Sequence, residues 1–207
     1  MITLAIIGIV AALTIPNLII NYKKKLVETR LTNFYSTFNN ALKLASAEHG
    51  DYKYWNMYDA LSSKEQLRMW NETYILPYIK VLKTEYKQVG YNPRIINYLL
   101  DGSVIIIGRE SWFFYPEAKN FELGIKTESS GLQYEYPKSE TSGIEWFTFN
   151  FNTIRGLYPF GSGLDENTLR NDKKIGCNTA ATGEKAYCAG LIEFYGWKIP
   201  KDYPLKF

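Results

Sequence analysis

The chain has 207 residues, enough for one domain of ordinary size with a short segment to spare. Apolar residues make up 46% and charged residues 22%, which places most of it among chains that fold and bury a core. Its net charge of +3, with Lys and Arg scattered, excludes the concentrated basic face of a nucleic-acid binder, so no nucleic-acid partner is expected. The 17 Tyr, 11 Phe and 5 Trp are expected to fill and flank β-strands, where aromatics pack well; an exposed aromatic platform for a sugar or a partner is the alternative.

Residues 1–22 carry no charge, and among the first twenty only Thr3, Thr14 and Asn17 are polar. Twenty helical residues span about 30 Å, the hydrocarbon thickness of a bilayer. A secretory signal peptide would need a basic start, a shorter apolar core and a small-x-small cleavage site, which do not fit here. A buried helix of a soluble domain would leave one polar face. The run Ile2-Thr3-Leu4-Ala5-Ile6-Ile7-Gly8-Ile9-Val10-Ala11-Ala12-Leu13 leaves none. The segment therefore predicts a membrane helix over residues 1–22. Pro16 lies inside it. In water such a proline costs about 3 kcal/mol, but a membrane helix accepts one where its neighbours satisfy the freed carbonyl. A kink in a packed environment is expected there.

The helix is expected to continue through residues 23–50. Leu31, Phe34, Tyr35, Phe38, Ala41, Leu42 and Ala45 recur at spacings of three and four, one apolar stripe opposite Thr32, Asn33, Asn40, Lys43 and Glu48. His49-Gly50 marks its end, with glycine supplying a left-handed cap. The result would be a rod about 72 Å long, with its base in lipid and its upper half carrying a globular head.

The run Ala5-Ile6-Ile7-Gly8-Ile9-Val10-Ala11-Ala12-Leu13-Thr14-Ile15-Pro16-Asn17 closely resembles the N-terminal helix of type IV pilins and type II secretion pseudopilins. Gly8 and Pro16 stand at that family's spacing, with the small pair Ala11 and Ala12 between them, and the strong part covers about the first 45 residues. Near the other end, Tyr195-Gly196-Trp197-Lys198-Ile199-Pro200-Lys201-Asp202-Tyr203-Pro204 resembles the ending of some type II secretion or pilin-like proteins. The resemblance implies a single-pass protein of the cytoplasmic membrane with its head outside. It implies filament assembly with other pilin or pseudopilin subunits, and dependence on an assembly platform and a prepilin peptidase. Ile6, Gly8, Ala11, Ala12 and Pro16 would belong to the membrane and assembly helix. The family also carries a basic leader, a Gly-Phe cleavage junction and a glutamate soon after it, none of which is present in these residues. By the spacing of Gly8 and Pro16, Met1 falls about six residues inside the family's helix. Either the natural start lies upstream or this copy is not processed, and the intact pattern that follows favours the first. Lys23-Lys24-Lys25 follows the span and on charge alone argues for a cytoplasmic head; the resemblance argues for the reverse, and a restored basic leader would offset the triplet.

Residues 51–207 are expected to form the extracytoplasmic head. A second helix is predicted over residues 63–86, broken or kinked at Pro77. Ile95-Ile96-Asn97-Tyr98-Leu99-Leu100 and Ser103-Val104-Ile105-Ile106-Ile107 flank Asp101-Gly102, the strongest short hairpin signal. Further strands are predicted over residues 111–115, 144–151 and 189–195. The fold class expected is α+β, pilin-like, with an antiparallel sheet packed on the amphipathic half of the first helix.

In a head placed outside the cytoplasm, Cys177 and Cys188 are expected to pair, closing a loop that holds Thr179, Thr182 and Gly183. Two cysteines and one distant histidine make a poor metal site. His49, the only histidine, sits at a helix end and suits the helix dipole better than catalysis. No G-x-S-x-G, phosphate-cradling loop or metal-ligand motif is present, and Gly161-Ser162-Gly163 reads as a turn, so no enzyme is expected. Asn150, Asn152, Asp165, Asn167 and Asp172 offer oxygens of the kind calcium uses, and some major pseudopilins bind calcium in the head. Asp165, Asn167 and Asp172 are therefore weak calcium candidates, against a plain loop network. The function expected is a structural subunit of a pseudopilus or pilus-like filament. The alternatives are a membrane-tethered minor pilin or binding module for adhesion or DNA capture and, more weakly, a tethered enzyme.

Overall fold

The computed structural model describes residues 2–55, 62–89, 92–108, 111–127, 131 and 133–207, with the backbone alone for residues 2–11, 13, 88–89, 92 and 133–134. The first element, α1 (Ile2–His49), is one helix of 48 residues that continues through Pro16. Gly50 ends it at φ +82°, a conformation that an L side chain rarely adopts. Val27, Leu31, Phe34, Phe38, Ala41 and Ala45 are all buried, and they follow one another in alternating steps of four and three. That spacing keeps one stripe aimed at the head along the helix's second half.

The stripe packs on an antiparallel sheet of six strands. In chain order the strands of the head are β1 (Val81–Val89), β2 (Asn92–Leu99), β3 (Val104–Ile107), β4 (Ser111–Tyr115), β5 (Leu123–Thr127), β6 (Gln133–Pro137), β7 (Phe147–Asn152) and β8 (Gly156–Pro159). The main sheet runs β1-β2-β3-β4-β7-β8, and β5 and β6 form a separate two-stranded hairpin. Strand β3 and, after Ser111, strand β4 are runs of apolar and aromatic residues because both of their faces are covered. Ile105, Ile107, Trp112 and Phe114 face α1, together with Phe147, Phe149 and Phe151 of β7. Val104, Ile106, Phe113 and Tyr115 point the other way and, with Trp146, meet Phe121, Leu123 and Tyr136 of the β5–β6 layer. The ring of Phe34 stacks on Phe114 at 4.2 Å and meets Phe149 edge-on at 4.8 Å, so helix and sheet share one aromatic core.

The predicted hairpin is present: Leu99 and Val104 flank the Asp101-Gly102 turn, with Gly102 at φ +80°. The strand predicted over residues 111–115 is β4. That predicted over residues 144–151 is β7, which begins at Phe147 after a turn. The helix predicted over residues 63–86 is half right. A capping box of Ser63 and Gln66 starts α2 (Lys64–Tyr74). The chain then turns before Pro77, which has no N–H to continue a helix, and residues 81–89 pair with β2 as an edge strand. The strand predicted over residues 189–195 is instead α4 (Cys188–Phe194), whose Cys188, Ala189, Gly190, Leu191 and Ile192 are all buried. A Cβ on Gly190 would come within 2.6 Å of the Phe160 carbonyl, so this helix lies flat against the chain after β8. Before it stands a short helix, α3 (Glu166–Asn171).

The architecture is therefore α+β, a long N-terminal helix on an antiparallel sheet. Among the described residues no helix is long and apolar enough to cross a membrane. The apolar run expected to do so rests mainly on residues 1–11 and 13, whose side chains lie outside the described residues; so do those of Ile6, Gly8 and Ala11.

Candidate functional site

The candidate site is the neck, where α1 emerges from the head. Along the described side chains the burial of the helix begins at Val27; before it, residues 14–19 are exposed. They include Ile15, Pro16 and Ile19; Ala12 is exposed as well, and Leu18 and Tyr22 expose 69% and 66% of their surface. Among the described residues the apolar side chains of Ile15, Leu18 and Ile19 are left largely uncovered. Water penalises such surface by roughly 25 cal/mol for each Å² that could be covered.

Two side chains of α1 fix the helix to the head at this point. The Glu28 carboxylate accepts the Ile199 N–H at 3.0 Å and lies 3.4 Å from Lys198 Nζ and 3.6 Å from Lys25 Nζ. Its side chain is only 13% exposed, so it is a half-buried acid held by two cations and one amide. Two residues further along α1, Arg30 donates to the carbonyls of Pro116 and Asp101, the latter at 2.7 Å. The three anchored segments are the β2–β3 turn, the end of β4 and the C-terminal strand of chain after α4. Together they make the floor of the head. A cleft of about 90 Å³ opens there beside the helix, lined by Lys23, Val27, Lys119, Ile144, Glu145 and Phe207 among others. The Lys24 ammonium stands 6.0 Å from the centre of the Phe207 ring.

Sequence reasoning found the helix and its stripe but not this clamp. Glu28 and Arg30 flank Val27 and Leu31 on the helix surface, which marks them as border positions. Their partners are 71 to 171 residues away in the chain and left no local signal.

The remaining predicted site residues lie elsewhere. Cys177 and Cys188 are joined, with an S–S distance of 2.04 Å and Cα atoms 4.7 Å apart, and both are fully buried. Within their loop Glu184 meets Lys126 at 2.5 Å and accepts from Tyr136 Oη at 3.0 Å. The bridged loop thereby pins the β5–β6 hairpin. The calcium candidates sit at the two ends of α3. Asp165 is its N-cap: one oxygen accepts the Thr168 N–H at 3.0 Å and the other accepts Thr168 Oγ1 at 2.6 Å. Those bonds hold the Asp165 carboxyl below the usual range. Asp172, at the other end, accepts the N–H groups of Ile175 and Lys174, both at 2.8 Å, which lower its pKa in the same way. Asn167 Oδ1 accepts from Asn171, and Asn152 Oδ1 caps the β7–β8 turn at Ile154 and Arg155. The structure thus spends these oxygens on backbone caps rather than bringing them together, and among the described residues no His, Cys, Asp and Glu groups gather to hold a metal. The Asp165-x-x-Thr168 spacing was the capping signal available in the sequence. His49 packs against the rings of Tyr74 and Tyr78 at 5.4 and 6.5 Å.

Compared with curated proteins and with solved structures, the chain has no match. Residues 17–207, which take in the neck and the whole head, match the model of a family of unknown function, DUF6613, and the chain belongs to that family.

Proposed function

We propose that this protein is a membrane-anchored structural subunit of a pseudopilus or pilus-like filament, with the first half of α1 serving as both anchor and assembly element. The observation that carries this reading is the division of one continuous helix. From Val27 onward it is a wall of the head's core, while the helix continues before the head through uncharged residues of which Ile15, Leu18 and Ile19 have their side chains exposed. A projecting helix of about 30 Å matches a bilayer's hydrocarbon core. Packed against copies of itself, it would form a filament core in which small residues such as Gly8, Ala11 and Ala12 allow close approach. A contact between unlike patches of successive copies repeats without closing and gives an open helical array. The resemblance of residues 5–17 to pilin and pseudopilin helices points the same way, and a head outside the cytoplasm suits a buried disulfide.

Cysteines placed at Ile15 and at Leu18 test the assembly part. When the chain is expressed beside a pilin assembly machine, the reading expects intermolecular cross-links at these positions and none at Leu44, which is exposed on the head half of the same helix. Equal cross-linking at all three, or none at any, would count against it.

A further inference from the structure

We infer that the floor of the head docks on the surface of an anionic lipid bilayer, with a collar of lysines around the neck contacting lipid phosphates. This rests on the membrane-anchor reading above and adds to it the chemistry of the lipid that the protein recognises. Lys23, Lys24 and Lys25 are successive helical residues, so they cover about 200° of the circumference of α1 one residue beyond Tyr22. Two more lysines come from the head and stand on different faces of the same helix. Lys119 lines the neck cleft with Lys23 and Val27, while Lys198 stands at Glu28 beside Lys25. The collar is thus closed by contributions from three separate parts of the chain.

The acids nearby are engaged, Glu28 and Glu117 by lysines of the collar itself, and its five lysines outnumber these two acids. Glu28 is held by Lys25, Lys198 and the Ile199 amide, Glu117 pairs with Lys119 at 2.7 Å, and the Asp101 carboxylate accepts from Ser103 N and Oγ. Glu145, on the cleft wall, opposes the lysines. Among the described residues Lys23 and Lys206 make no ion pair, and both are exposed. The floor also presents apolar surface. Leu100 is 55% exposed in the turn whose Asp101 carbonyl Arg30 holds, and the Phe207 ring lies at the cleft beside Lys24. Cations with apolar side chains between them, next to an uncharged helix of bilayer length, match a layer of phosphates above hydrocarbon. An anionic protein partner would account for the cations but not for their position at the end of the uncharged helix.

A competition between two kinds of vesicle tests this on the full chain. The protein is dialysed from detergent into a mixture of phosphatidylcholine vesicles and density-labelled vesicles containing about one third phosphatidylglycerol, which are then separated by flotation. A lysine near an anionic surface contributes roughly fivefold to partitioning, so at low salt the chain is expected in the anionic vesicles by at least tenfold. The preference should fall towards one at about 0.5 M salt, where screening is nearly complete within contact distance. It should fall likewise in a triple variant of collar residues, Lys23→Gln, Lys24→Gln and Lys119→Gln. An even distribution of the unaltered chain at low salt would overturn the collar while leaving the anchor standing. So would a preference that neither salt nor the triple variant reduces. A chain found in neither vesicle would overturn the anchor, and this inference with it.

Discussion

Substituting Phe38 separates the two halves of α1 by their energetics. Phe38 is fully buried, 4.7 Å from the ring of Phe34 and 5.9 Å from that of Trp112. Alanine there would remove a whole aromatic side chain from the core between helix and sheet, at a loss of about 3–5 kcal/mol. For a protein of this length each kcal/mol moves the midpoint by roughly 2–4 °C, so Phe38→Ala should lower Tm by roughly 6–20 °C. Leu18, twenty positions earlier on the same helix, is 69% exposed, so Leu18→Ala should stay within about 0.5 kcal/mol. Thermal unfolding of both variants in the same detergent, followed by tryptophan fluorescence, gives the comparison. Comparable shifts for Phe38→Ala and Leu18→Ala would refute the division of the helix into a core half and a projecting half.

Replacing Cys177 and Cys188 together by alanine should lower stability by about 3 kcal/mol, the constraint expected for so short a loop. Alkylation of the protein from its natural host without reductant should leave its mass unchanged. Asn71 and Asn97 are both fully buried and exchange side-chain hydrogen bonds at 3.1 and 3.3 Å. Asn97→Leu should therefore cost about 1–3 kcal/mol by leaving Asn71 Oδ1 without its donor, and adding Asn71→Leu should recover part of the loss in a double-mutant cycle. Burial pushes the phenols of Tyr115 and Tyr203 well above their ordinary value, and Tyr203 Oη donates to the Gly143 carbonyl at 2.6 Å. The folded state keeps these protons where the unfolded state loses them. Their contribution is fully present below about pH 10 and declines above it. Absorbance titration should find at least two of the 17 tyrosines ionising only as the protein unfolds; free titration of all 17 in the folded protein would contradict their burial.

The parts of the fold that were legible are those in which the pattern is local. The stripe from Leu31 to Ala45, the stop at Gly50 and the Asp101-Gly102 hairpin each follow from residues within one or two turns of each other. Residues 81–86 were misread because Val81-Leu82-Lys83-Thr84-Glu85-Tyr86 mixes polar and apolar positions in a way that a helix also allows. Pairing with β2 settles the choice. Residues 189–194 were misread because the run Ala189-Gly190-Leu191-Ile192 is buried all round and shows no period, and the helix is fixed by contact with Phe160 and Gly161. Strand β8 begins at Gly156 and ends at Pro159, residues that argue against a strand, and it forms because β7 offers it an edge. At the neck the lysine triplet was visible, but the Glu28 and Arg30 clamps were not. Each needs a partner brought from the far end of the sheet or of the chain.

Depth measurement in a membrane tests the central claim most directly. The two native cysteines are tied to each other, so a single cysteine introduced at Ile15 or at Leu44 can be spin-labelled alone in the full chain. In reconstituted vesicles the account predicts that a label at residue 15 collides with oxygen far more often than with a water-soluble nickel complex. A label at residue 44 should do the opposite. A residue 15 label as open to nickel as the residue 44 label would contradict the membrane anchor.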